Sequence, residues 1–162
     1  MNIVLVDDSS VVHRLLGHRF KILNWKMISL YNGQEAINMY EKTGFKGIDI
    51  ILMDKEMPIM TGDTATEKLV EMGCDTPIVA LTACADSLDE FVERGAMGVL
   101  NKPLQIPNLL QTILRTRSLK VEAEKLKAAH PLNNKEDVRL LRVISHCRFN
   151  FALSVQFRNV RA

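Results

Sequence analysis

The sequence predicts an α/β fold, a doubly wound sheet of five parallel strands. Two observations carry that prediction. First, short apolar runs recur along the chain, each followed by an amphipathic stretch: Ile3-Val4-Leu5-Val6, Ile50-Ile51-Leu52-Met53, Ile78-Val79-Ala80-Leu81 and Val99-Leu100. Continuous apolar runs of this length suit strands covered on both faces, as parallel sheets require. Second, each run closes on residues able to do chemistry: Asp7-Asp8, Asp54, Thr82 and Lys102-Pro103. Parallel strands all end on the same side, so these residues are expected in one crevice.

The elements follow in order. Strand one closes at Asp7, and Ser9 or Ser10 can cap the next helix, whose apolar positions are Val12, Leu15, Leu16 and Phe20. Met27 to Tyr31 reads as strand two. Asn32-Gly33 is a turn signal before a helix presenting Ala36, Ile37 and Tyr40, and Gly44 is a good stop. Strand three runs into Asp54, and a loop with Pro58 and Gly62 leads to a helix carrying Ala65, Leu69 and Met72. Thr76-Pro77 launches strand four, and a short helix with Leu88, Phe91 and Val92 ends at Gly95. Strand five covers Gly98 to Leu100, before a fifth helix with Leu109, Leu110, Ile113 and Leu114. Right-handed crossovers between such units leave few topologies, and the flavodoxin-like order 2-1-3-4-5 is the one expected. It sets strands one and three side by side at the switch point, so that Asp7, Asp8 and Asp54 converge.

Three carboxylates that close repel one another, and their pKa values rise unless a cation sits among them. An all-oxygen donor set in a partly hydrated site suits Mg²⁺. A metal, a spare carboxylate, the Thr82 hydroxyl and the Lys102 ammonium together make a place for a phosphoryl group. Taken singly, the residues have plainer readings: Asp7-Asp8 as a helix cap, Thr82 as a turn residue, Lys102-Pro103 as a turn signal. Asp54 resists such a reading, because an acid closing an apolar strand needs a partner.

At 162 residues, 47% of them apolar and 25% charged, the chain has the profile of a soluble globular protein. No apolar run approaches a membrane span and no signal peptide is evident. Cys74, Cys84 and Cys147 are odd in number and far apart, which argues against a disulfide framework or zinc site and for a reducing, cytoplasmic or nuclear, setting. Net charge divides: residues 1–117 hold 12 Lys+Arg against 15 Asp+Glu, and residues 118–162 hold 9 against 4. A mildly acidic domain therefore precedes a basic extension.

The pieces VDDS at 6–9, NGQEAI at 32–37, ILMDKEMPIMTG at 51–62, LTA at 81–83 and NKP at 101–103 stand in a specific order. On these, residues 2–117 resemble a response regulator receiver domain of the CheY-like kind, the phospho-accepting module of two-component signalling. The resemblance implies roles by position. Asp54 would take the phosphoryl group. Asp7, Asp8, Asp54 and the backbone carbonyl of Glu56 would hold Mg²⁺. Thr82 would be the switch hydroxyl, Lys102 would pair with carboxylate and then phosphate, and Pro103 would follow a cis bond. Val99 stands where receivers often carry an aromatic residue, and Glu56 and Cys84 flank the path of attacking water. Such a domain catalyses its own phosphorylation and dephosphorylation without being a conventional enzyme.

The string DKEMPIM resembles receivers of plant phosphorelays, in particular type-C response regulators, and also those of hybrid histidine kinases. It implies a histidine phosphotransfer protein or histidine kinase as donor, and a cytokinin pathway. The expected function is a stand-alone phospho-acceptor, with a fragment of a hybrid kinase or a transcriptional regulator as alternatives. A Mg²⁺ phosphohydrolase is disfavoured, because Glu56 stands where a DxD pattern needs Asp.

His13 and His18, on the first helix, are expected at the surface or on a partner-facing surface, with Val11 and Leu15 offering apolar contact to a donor. Ser118 to Ala129 continues the fifth helix. Leu140, Leu141, Val143 and Ile144 have helical spacing, and Phe149 to Phe157 alternates like a strand. The positive charge of residues 118–162 is spread out, which favours a solvated face over nucleic-acid binding. The chain is expected as a monomer or weak dimer, away from membranes.

Overall fold

The computed structural model describes residues 1–83 and 88–129. Five strands alternate with five helices: β1 (Asn2–Val6), α1 (Ser10–Ile22), β2 (Lys26–Leu30), α2 (Gly33–Thr43), β3 (Ile50–Asp54), α3 (Gly62–Glu71), β4 (Ile78–Thr82), α4 (Leu88–Glu93), β5 (Gly98–Asn101) and α5 (Ile106–Ala129). The strands form one parallel sheet in the order β2-β1-β3-β4-β5, the flavodoxin-like order expected.

Strand alternation divides the core between two faces. Val4, Val6, Ile51, Met53 and Ile78 meet Ala36 and Ile37 of α2 and Ala65 and Leu69 of α3. Ile3, Leu5, Ile50, Leu52, Val79 and Leu81 meet Leu16 and Phe20 of α1 and Leu109 and Ile113 of α5. Every residue of β3 and β4 is buried, which explains their unbroken apolar runs. Each such aliphatic side chain contributes about 1.5–3 kcal/mol on full burial.

Local signals fix the helix ends. The Asn32 side chain accepts from the Glu35 N–H at 2.9 Å, and the Glu35 carboxylate accepts from the Tyr31 N–H at 2.9 Å, a reciprocal arrangement at the start of α2. Gly44 ends that helix in the left-handed conformation, φ 59°, its N–H bonding the Tyr40 carbonyl.

Several expectations are corrected. Leu114 has core spacing yet is about half exposed, so the buried face of α5 is narrower than its apolar pattern, whereas Leu15 is exposed, as the apolar contact expected of it requires. Tyr31 lies just past β2, which starts at Lys26 instead of Met27. The expected helical continuation from Ser118 to Ala129 is present as the second half of α5. Cys84, the helical spacing at 140–144, the alternating stretch 149–157 and Cys147 lie outside the described residues.

Candidate functional site

The order of the strands creates the site. The chain leaves β1 toward β2 on one side and returns to β3 on the other, so a crevice opens at the carboxyl ends of β1 and β3. The register pairs Val6 with Met53, which brings the next residues, Asp7 and Asp54, to the same level. Thr82 ends β4, and Lys102 follows β5 directly.

Asp7 is fully buried, Asp54 is 5% exposed and Thr82 is 1% exposed, whereas Asp8 is exposed. Carboxylate oxygens of Asp7, Asp8 and Asp54 lie within 4.8 Å of one another. The Lys102 ammonium bridges two of them, 2.8 Å from Asp7 Oδ2 and 2.9 Å from Asp54 Oδ1. Asp7 Oδ1 also accepts from the Ser9 N–H at 2.9 Å. Asp7 Oδ1 thus closes a turn before α1 while Oδ2 serves the crevice, and Asp7 does not cap the helix, whose N-cap residue is Ser9. Ser9 precedes α1 but makes no side-chain cap of its own.

Burial is the largest influence on Asp54 and raises its carboxyl above the ordinary 3.8; Lys102 opposes it, and the Asp7 charge adds to it. Burial alone would lower the Lys102 ammonium, but the two carboxylates outweigh it and hold it above 10.5. Three carboxylates against one ammonium leave a formal excess of two negative charges. The residues therefore fit a hard divalent cation in both donor type and charge.

The loop after β3 is built around close approach. A Cβ on Gly62 would sit 1.8 Å from the Asp54 carbonyl oxygen, so only glycine lets α3 start against the end of β3. The Gly62 N–H bonds the Lys55 carbonyl at 2.9 Å, and the Gly33 N–H, at the start of α2, bonds the Met60 carbonyl at 3.1 Å. Between them Glu56 is exposed, and Ile59, 82% exposed, has φ 69°. The Lys102-Pro103 peptide is cis, as the resemblance implies. Val99 packs beside Ala80, Phe91 and Ala96.

His13 is the residue that sequence reasoning placed wrongly. It is 6% exposed instead of lying on the surface, while His18 is exposed as expected. His13 Nε2 lies 2.7 Å from the Asp7 carbonyl oxygen, and Nδ1 lies 2.9 Å from Ser29 Oγ. A signal was available: residues 13, 16 and 20 share one helical face, and Leu16 and Phe20 were already read as apolar positions of that helix.

Residues 3–114 match the response regulator receiver domain family. The chain belongs to this family. Among its relatives, two-component response regulator 24 of Arabidopsis thaliana is 39% identical over 115 residues, covering 68% of this receiver and 79% of that protein. Sensor histidine kinase RcsC of Salmonella typhi is 32% identical over 115 residues, covering 70% of this receiver and 12% of the kinase. The same domain therefore makes up most of a plant response regulator and a small part of a sensor kinase. A receiver domain from a Pseudomonas aeruginosa sensor histidine kinase, solved with magnesium coordinated in its active-site cleft, superposes with TM-score 0.64 at 25% identity; the match covers 72% of this chain and 97% of that one. A Saccharomyces cerevisiae receiver domain, co-crystallised with the histidine phosphotransfer protein upstream of it, has the same fold. There the TM-score is 0.68 at 22% identity, over 74% of this chain and 90% of that one. No helix among the described residues is long and apolar enough to cross a membrane.

Proposed function

We propose that this receiver is a stand-alone phospho-acceptor that takes a phosphoryl group onto Asp54 and later loses it to water. The observation that carries this reading is the Lys102 ammonium, within 2.9 Å of both Asp7 and Asp54 at the mouth of a crevice with excess negative charge. An Asp54 carboxylate oxygen attacks phosphorus in line, and the P–N bond to a donor imidazole breaks with its electron pair returning to the ring. Water then attacks the same phosphorus, releasing inorganic phosphate and restoring the carboxylate. Lys102 follows the growing charge on the phosphoryl oxygens, and Thr82 supplies a hydroxyl to them. Asp7, Asp8, Asp54 and the Glu56 backbone carbonyl would hold Mg²⁺, which neutralises phosphoryl oxygens when bound.

The donor we favour is a histidine phosphotransfer protein or a histidine kinase. The yeast receiver co-crystallised with its phosphotransfer protein supports that choice. So do Val11 and Leu15, 60% and 47% exposed on α1 beside the crevice, which offer apolar contact. The likeness to a plant regulator favours a cytokinin relay in cytoplasm or nucleus. Residues 1–117 would form the complete chemical unit. A second reading, a receiver segment of a hybrid kinase, is favoured by the match to a sensor kinase.

The test is labelling with acetyl phosphate and Mg²⁺, read by intact mass. The wild type should gain one phosphoryl group and Asp54→Asn none, since an amide is no nucleophile here. Full labelling of Asp54→Asn would sink the assignment.

A further inference from the structure

Asp7 and Asp8 are held very differently. The Asp7 carboxylate is fixed by Lys102 and by the Ser9 N–H, and its own N–H bonds the Leu30 carbonyl at 3.1 Å. Asp8 is exposed, and its side chain makes no hydrogen bond or ion pair among the described residues. Its direction therefore depends on its backbone, and above all on the peptide plane joining it to Asp7. That plane is gripped by one side chain. His13 Nε2 stands 2.7 Å from the Asp7 carbonyl oxygen, an atom that only accepts, so Nε2 carries the proton and donates.

The ring is braced on its other sides. Nδ1 meets Ser29 Oγ of β2 at 2.9 Å, and Tyr31 packs against the ring at 4.6 Å between centroids, tilted by 43°. At 6% exposure the imidazole has little freedom to leave. A braced donor on a rigid helix fixes the carbonyl, the carbonyl fixes the peptide plane, and the plane sets where Asp8 begins.

We propose that His13 is a positioning residue of the acidic site, aiming the Asp8 carboxylate at the cation through the Asp7–Asp8 peptide. The inference rests on the cation reading above. Groups that orient metal ligands from behind typically change metal affinity about 10–100-fold when lost.

The test uses the full chain, with Mg²⁺ binding followed by calorimetry and folding by thermal melts without metal. His13→Phe keeps a ring against Tyr31 but removes the donor, and should weaken Mg²⁺ binding about tenfold. His13→Gln places an amide N–H at similar reach and should return affinity to within about threefold of wild type. In the wild type, the His13 Nε2–H resonance should shift as Mg²⁺ is added. Wild-type affinity in His13→Phe would overturn the proposal. So would a folded His13→Gln as weak as His13→Phe, which would make the residue merely structural. Should His13→Phe fail to fold, a His13 resonance unmoved through Mg²⁺ saturation would overturn it instead. No binding by the wild type would overturn the cation reading, and this inference with it.

Discussion

Lys102 is the only ammonium shared between two buried carboxylates among the described residues, and the balance around it makes the crevice costly to maintain without a cation. Asp54 shows the sign. Its folded pKa lies above 3.8, so as pH rises the unfolded chain releases this proton first. The contribution of Asp54 to native stability then falls from pH 3.8 up to the raised folded value and stays level above it. Ionised Asp54 therefore destabilises the metal-free protein at neutral pH. Asp54→Asn should raise the metal-free melting temperature at pH 7 by a few degrees, the effect of about 1 kcal/mol in a domain of this size. The gain should shrink as pH approaches 4. Adding Mg²⁺ should narrow the gap, because binding stabilises the wild type more. A melting temperature lower in Asp54→Asn than in wild type at pH 7 without metal would show that the lost Lys102 pair outweighs the relieved burial. Much of this was legible in the sequence, because acids closing apolar strands need partners. His13 was not, since its partners are a backbone carbonyl and a hydroxyl that only the folded sheet brings to it.

At the scale of elements, legibility follows burial. β3 and β4 are buried at every position and read as continuous apolar runs, whereas β2, at one edge of the sheet, is half exposed and was placed one residue late. Helical spacing also cannot separate core residues from exposed ones: Leu114 continues the apolar pattern of Ile113 yet is half exposed. Gly62 read simply as a loop residue, because the contact that demands it comes from the end of another element. Its missing Cβ is what lets α3 start on the Asp54 carbonyl. Gly62→Ala should therefore destabilise the fold by about 1–3 kcal/mol, the range for forcing atoms into a packed site, and should slow labelling of Asp54 as its backbone is displaced. Denaturant unfolding beside acetyl phosphate labelling checks both. Unchanged stability would mean that the loop yields easily, against its bonds from Gly33 and Gly62.

At the scale of the whole molecule, the order of the strands was legible from the rule of right-handed crossovers, and that order created the crevice. Where the folding unit stops is a matter of α5. Thr112, Ile113 and Thr116 are buried, and Arg117 reaches Asp49 at 3.5 Å. Past Thr116 no described side chain is buried. A chain ending at Arg117 should therefore unfold cooperatively and accept phosphoryl at close to the full chain's rate. Loss of cooperative unfolding on that truncation would show that later residues complete the core.

The same helix has a consequence for the protein's internal time scales. Past Arg117 and its contact with Asp49, no described side chain of the helix is buried, and a Lys120–Glu124 pair at 3.8 Å lends support. A helical stretch of this length with none of its described side chains buried is near the lower limit for a helix in water. Amide protons of this half should exchange with solvent through local fraying, many orders faster than those of β1, β3 and β4, which wait for global unfolding. One continuous helix would then keep two clocks, with Thr116 marking the place where the slow one stops.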